Sequence, residues 1–178
     1  MDDREAILSD LPPAGRRARP PVPAPPLPTQ TAEALWLLFR ERLESLGGRL
    51  GSLTDLEALL LRPHTIDQEA ATRLGRGSEG ASTWDAEIGF TSADLAVAET
   101  ASIVIAAGPG RSRMTSLSPP IHVVVIPRDR IVATPEEAFA RLSDRTTVFI
   151  TGPSRTADIE GVLVRGVHGP REIIVIPI

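Results

Sequence analysis

Four short apolar runs set the strongest limit on how this chain can fold: Ser102-Ile-Val-Ile-Ala106, Ile121-His-Val-Val-Val-Ile-Pro127, Thr147-Val-Phe-Ile150 and Glu172-Ile-Ile-Val-Ile-Pro177. Almost every position in them is apolar, so such strands must be covered on both faces. The segments between them carry helical spacing instead. Leu35, Phe39, Leu43 and Leu46 recur along one face and predict a helix over 31–47, ended by Gly47-Gly48. A second helix is expected over 54–61, capped by Thr54 with Glu57 three residues on. Gln68–Arg73 reads as a helical patch, and Pro135–Leu142 as a helix with proline in its first turn. Buried strands alternating with helices predict an α/β fold: one domain, with a largely parallel sheet flanked by helices.

Composition narrows what that domain can do. Its 178 residues suffice for one sizeable core, and with 3% aromatics that core must be aliphatic. Cysteine is absent, which excludes disulfides, thiolate catalysis and any iron–sulfur cluster held by this chain's own cysteines. All 19 basic residues are arginine, so a Schiff-base or P-loop lysine is impossible. A net charge of −4 argues against general nucleic-acid binding. No stretch reaches the roughly 18 apolar residues of a membrane span, and the acidic start is unlike a signal peptide, so a cytoplasmic protein is expected.

Residues 12–28 hold eight of the seventeen prolines. Such a run cannot form helix or inner strand. We therefore divide the chain into a Pro-rich arm over 1–28, expected to be a tether, and an α/β domain over 29–178. Gly75-Arg-Gly-Ser-Glu-Gly80 matches G-x-G-x-x-G, but no strand precedes it and no helix follows, so a plain loop is expected.

Three clusters can carry chemistry. The run Thr151-Gly-Pro-Ser-Arg-Thr-Ala-Asp-Ile-Glu160 follows a strand and reads as a helix N-terminus, with Ser154 or Thr156 as cap and Asp158 and Glu160 in the first turns. Its free amides, its hydroxyls and Arg155 would make a receptor for phosphate or carboxylate. His168, between glycines in Gly166-Val-His-Gly-Pro170, is placed to act as acid, base or anion donor. By contrast, His122 alternates into an apolar strand and reads as a core or rim histidine. The three scattered histidines give little support for a zinc site. In the third cluster, Glu99 and Thr100 interrupt an apolar stretch, and Arg111 or Arg113 in the next turn is the expected partner of Glu99. A cleft combining Glu99, His168, Arg111 and Arg155 would let one small ligand touch both an acid and a base.

Taken together, Ala98-Glu-Thr-Ala-Ser102, the Arg111 turn, Leu117-Ser-Pro-Pro-Ile-His122, the Thr151–Glu160 run and Gly166–Pro170 resemble the lactate utilization protein C family, the LUD domain. The resemblance spans roughly residues 85–178. It implies a fold similar to the sugar-isomerase and CoA-transferase type. It also implies a non-redox subunit of a system oxidising L-lactate to pyruvate beside iron–sulfur partner subunits. Carried onto this chain, it implies Glu99 and His168 as catalytic groups. Thr100, Ser102, Arg111, Ser154, Arg155, Thr156 and Asp158 would contact a small anionic ligand. Family members carry glycine then threonine after the Glu-Thr pair, where this chain has Ala101 and Ser102. Two alternatives stand beside this reading: a stand-alone enzyme on a sugar-phosphate or CoA-thioester ligand, with Glu99 as base or nucleophile, and a small-molecule sensor. The cofactor is left open.

Overall fold

A computed structural model describes residues 30–78, 80–142, 144–156 and 164–178. The expected arm over 1–28 and the site residue Asp158 lie outside the described residues. In chain order the elements are α1 (Ala32–Ser45), β1 (Arg49–Leu50), α2 (Leu53–Leu59), β2 (His64–Ile66), α3 (Gln68–Arg73), β3 (Ile88–Ser92), β4 (Leu95–Val97), β5 (Ser102–Ala106), α4 (Arg113–Leu117), β6 (Ile121–Ile126), β7 (Ile131–Val132), α5 (Pro135–Ala140), β8 (Thr147–Thr151), β9 (Arg155–Thr156), β10 (Val164–Arg165) and β11 (Glu172–Pro177).

The fold is α/β, with a central parallel sheet in the order β1-β11-β6-β3-β2. The two most apolar strands, β6 and β11, pair at its centre over their full length, Glu172 opposite Ile121 through Pro177 opposite Ile126. Side-chain alternation divides β6 between two cores. Val123 and Val125 pack with Ile88, Phe90, Ile174, Ile176, Leu56 and Ala70 on the side of α2 and α3. Val124 and Ile126 pack with Trp36, Phe39 and Leu43 of α1 on the other.

A second sheet, not anticipated from sequence, has the order β7-β4-β5-β8. Its β4–β5 and β5–β8 pairs are antiparallel and its β4–β7 pair is parallel. Its inner face contributes Ala96, Ile103 and Ile105 to the α1 core. Its outer face, with Leu95, Val97, Val104 and Val132, is covered by Ala138 of α5. Strand β8 is the outermost strand, half-buried along most of its length.

Local chemistry explains several boundaries. Helix α1 is capped by the Thr31 hydroxyl and ends at Gly47, whose φ of 85° is a left-handed conformation suited to glycine. Helix α2 starts two residues earlier than expected from a Thr54–Glu57 cap. Ser52 and Asp55 form the reciprocal capping box, and those hydrogen bonds hold the Asp55 carboxyl below its ordinary pKa. The Gly75–Gly80 segment opens no helix; Gly75 itself has a φ of 62°.

One larger correction concerns residues 151–156; the rest of the expected helix lies outside the described residues. No helix begins at Ser154. Instead Arg155–Thr156 pairs antiparallel with Val164–Arg165 as a two-stranded ribbon. The Ser154 amide donates to the Pro170 carbonyl at 2.8 Å, and the Gly166 amide donates to the Ser154 carbonyl at 3.0 Å. These bonds tie the segment to the loop before β11, so the Ser154 amide is not free to receive an anion.

Helix α4 lies directly on β3, and Gly89 makes this approach possible. A Cβ at Gly89 would collide with the Thr115 backbone carbonyl. Backbone cannot swing aside as a side chain can. Gly89→Ala should therefore cost about 2 kcal/mol or more, lowering the melting temperature by roughly 4–8 °C for a domain of this size. Thermal unfolding followed by circular dichroism checks this; an unchanged midpoint would mean that α4 sits further from the sheet.

Candidate functional site

Helix α4, strand β8 and the loops at 152–154 and 168–170 enclose a cavity of about 500 Å3. Its walls are apolar: Met114, Leu117, Val148, Phe149, Ile150 and Pro170. The polar groups around it are Arg113, Ser116, Thr151, Ser154 and His168. A mostly apolar cavity with a few convergent polar side chains is the usual form of a small-molecule site.

Each wall has a local cause. Ser112 caps α4 through its hydroxyl, which accepts from the Met114 amide at 3.2 Å, so Arg113 and Met114 emerge from the helix's first turn. Pro119 and Pro120 follow directly and stop the helix before β6. Gly152, with a φ of 80°, turns the chain out of β8. The Ser154–Pro170 backbone bond then brings two loops together, seating Ser154 beside Gly169: a Cβ there would lie 3.6 Å from the Ser154 Oγ. Thus Ser154 and His168 meet at one cavity although helix geometry does not place them.

A ladder of hydroxyls leads away from this cavity. Thr151 Oγ1 lies 2.7 Å from Ser102 Oγ, and Ser102 Oγ lies 2.7 Å from Thr100 Oγ1. The register of β5 against β8, with Ser102 opposite Thr151, creates the first contact. Glu99 is exposed at the head of this ladder, and its amide donates to the Ala133 carbonyl at 3.0 Å. The structure therefore links Thr100, Ser102 and Thr151, and brings Thr151, Ser154 and His168 onto one cavity.

The expected arginines are placed differently. Arg111 does not pair with Glu99. It forks onto Asp94, with Nη1 and Nη2 each 2.9 Å from a carboxylate oxygen, and Nη2 also reaches the Ser92 carbonyl at 2.6 Å. Asp94 also accepts from the Ala106 amide at 2.7 Å, so this pair sits at the far end of β5 from Ser102. That distance along the strand is roughly 13 Å at the usual rise per residue. Arg155 turns away as well. Its guanidinium donates to the Leu46 carbonyl, where it satisfies the C-terminal end of α1. Thr156 lies in β9 and is not among the residues lining the cavity. Of the four residues expected to share one cleft, only His168 lines it, and the cation present is Arg113. Sequence named Arg113 only as an alternative partner for Glu99 and Leu117 only within the Leu117–His122 motif; Met114 and Ser116 gave no signal because a five-residue helix is too short to show a period.

The turn leading to the ladder is strained. Ala101 is fully buried with a φ of 52°, a left-handed conformation that costs a residue with Cβ about 1–2 kcal/mol. This is the position where the family resemblance implies glycine. Ala101→Gly should stabilise the fold by about 0.5–1 kcal/mol, the relief of strain less the added freedom of the unfolded chain. Chemical denaturation checks the sign, and a destabilised variant would show that the Ala101 methyl matters more than its backbone.

Comparison with known proteins bears on the family and the fold. The profile of the LUD domain matches residues 64–178, reaching further toward the N-terminus than the resemblance over 85–178. A lactate utilization protein C of Exiguobacterium is 46% identical over 94 residues, covering 48% of this chain and 41% of that protein. The protein of the same name from Halalkalibacterium halodurans is 37% identical over 94 residues, with the same coverage. The matched segment thus spans about two fifths of these relatives' length. A crystal structure of a DUF162 family protein from Deinococcus radiodurans superposes with a TM-score of 0.61 at 20% identity, covering 83% of this chain and 98% of that one. With its profile match extending over well more than half of its length, this chain belongs to the LUD domain family.

Proposed function

We propose that this chain serves lactate utilization as a non-redox component that holds a small anionic ligand in the cavity between α4 and β8. The observation that carries this reading is the convergence of Arg113, Thr151, Ser154 and His168 on one largely apolar cavity. Arg113, Ser154 and His168 each have a role in binding a short 2-hydroxy or 2-oxo acid. Arg113 offers a planar fork suited to a carboxylate. His168 and Ser154 offer hydrogen bonds to the 2-oxygen, with His168 able to hold or release a proton there. Met114, Leu117 and Ile150 suit the methyl end. Glu99, exposed at the head of the hydroxyl ladder, is a second proton acceptor that a bound partner would cover.

The relatives named lactate utilization protein C support the biological setting. With no cysteine in this chain, a cluster held by thiolates belongs on partner subunits, and electrons from lactate would leave through them. A cavity of about 500 Å3 exceeds what a three-carbon acid fills, leaving room for a partner's side chain or a second reactant.

The test is growth on L-lactate of a strain that lacks this gene and carries variants of it. Arg113→Gln and His168→Ala should abolish growth on lactate, leave growth on glucose intact, and leave the purified chain's melting temperature within about 2 °C of wild type, as surface changes do. Normal growth of both variants on lactate would overturn the reading.

A further inference from the structure

The geometry points to a second anion site, separate from the α4–β8 cavity, that takes the phosphate or diphosphate group of a small molecule. It is a cavity of about 220 Å3 on the outer face of the second sheet, with Arg130, Arg141 and Arg145 around it. Leu95, Val104 and Leu142 contribute apolar wall, and Asp94 is the one carboxylate among the described lining residues.

That carboxylate does not balance the arginines. Asp94 is occupied by both guanidinium nitrogens of Arg111 and by the Ala106 amide. Its charge is matched before the pocket arginines are counted. Arg130, Arg141 and Arg145, all exposed, then line one cavity in a chain whose net charge is −4. None of the three forms a salt bridge among the described residues. Arginines that line one cavity without a salt bridge favour an anion there, and a doubly charged phosphate with its oxygens spread in three directions suits several guanidinium forks better than one carboxylate does.

The site is also partly built in advance. Arg145 Nε donates to the Ala107 carbonyl at 3.0 Å, and its guanidinium lies flat on Gly108, where a Cβ would collide with it. A volume of about 220 Å3 fits one or two phosphate groups and leaves the rest of a ligand in solvent. The site stands independently of the lactate reading, since it shares no lining residue with the larger cavity.

Isothermal titration of the full chain with inorganic phosphate and with diphosphate, at ionic strength matched by sodium chloride, tests the assignment. Saturable binding is expected, tighter for diphosphate. Arg141→Gln should weaken it about tenfold, the loss of one charge-assisted contact, and Arg141→Gln with Arg145→Gln should abolish it. Arg76→Gln, which lines neither cavity, should bind as wild type does. Arg141→Gln alone leaves the Arg145–Ala107 contact in place, so a folding defect in the double variant does not decide the matter. Absence of saturable binding, its survival in both Arg141 variants, or its loss in Arg76→Gln would each overturn the assignment. Binding of polyglutamate but of neither phosphate would do so too, by showing a surface for acidic protein segments.

Discussion

Asp94→Ala will lower the melting temperature by roughly 6–12 °C, corresponding to about 3 kcal/mol, and Arg111→Met will lower it by less than half as much. The asymmetry follows from burial. The Arg111 side chain is 9% exposed, whereas that of Asp94 is 40% exposed. Removing Asp94 leaves a guanidinium in the interior with only the Ser92 carbonyl and no adjoining anion. Removing Arg111 leaves a carboxylate that keeps the Ala106 amide and can still reach water. Burial disfavours the charge on Arg111, but Asp94 and, further off, Asp67 outweigh it and move its pKa above the ordinary value. Asp67 is itself buried, and that burial raises its carboxyl's pKa even though it accepts from the Ala70 and Ser92 amides. Losing Arg111 would therefore raise the Asp67 pKa further. Denaturant melts of both single variants and the double variant check this. Equal losses in the two singles would show that the pair acts as a surface ion pair, without the burial argued here.

The parts of this fold that were legible from sequence are those whose signal is local. The runs at 102–106, 121–126 and 172–177 became strands because a continuous β-branched run has no other stable state in a covered sheet. Helix α1 was legible because Leu35, Phe39 and Leu43 fix its buried face over several turns. The second sheet was not legible. Strands β4 and β7 have three and two residues, and which sheet a short strand joins depends on partners distant in sequence. The helix start at Ser154 was misread for a different reason. Gly-Pro-Ser-Arg-Thr has the residue types of a helix cap, but the same hydroxyl and turn residues serve a ribbon, and only the Ser154–Pro170 bond decides between them. Arg111 had two carboxylates to choose from, Asp94 and Glu99, five positions apart. The β4–β5 turn sends them to opposite ends of β5, a choice no spacing rule contains. The site fared likewise: the expected cleft of Glu99, His168, Arg111 and Arg155 is not formed, Ser154 and His168 line a cavity instead, and the helix beside that cavity was not seen.

His122 supplies the second large effect, a loss of stability in acid. It sits at the start of β6 opposite Gly89, on the sheet face that α4 covers, and is fully buried. Its Nε2 lies 2.8 Å from the Thr91 hydroxyl, and its Nδ1 has no partner among the described residues. A buried bare lone pair costs less than a buried unpaired N–H, so we assign the proton to Nε2, donating to Thr91. Burial pushes the His122 pKa down from 6.5 to about 3. Between those two values the unfolded chain binds a proton that the folded chain refuses. Stability is therefore full above pH 6.5 and falls as the pH drops, with a slope approaching 1.4 kcal/mol per pH unit from this one group. By pH 3 the loss is on the order of 4 kcal/mol. His122→Gln keeps a donor for Thr91 and has no proton to gain. Carboxylates titrate in both proteins, so the difference between wild type and variant isolates the histidine. Denaturant midpoints measured from pH 7 down to about 4.5, where most carboxylates are still charged, should fall more steeply for wild type than for His122→Gln. Parallel slopes would mean that water reaches the ring and that α4 does not seal this face of the sheet.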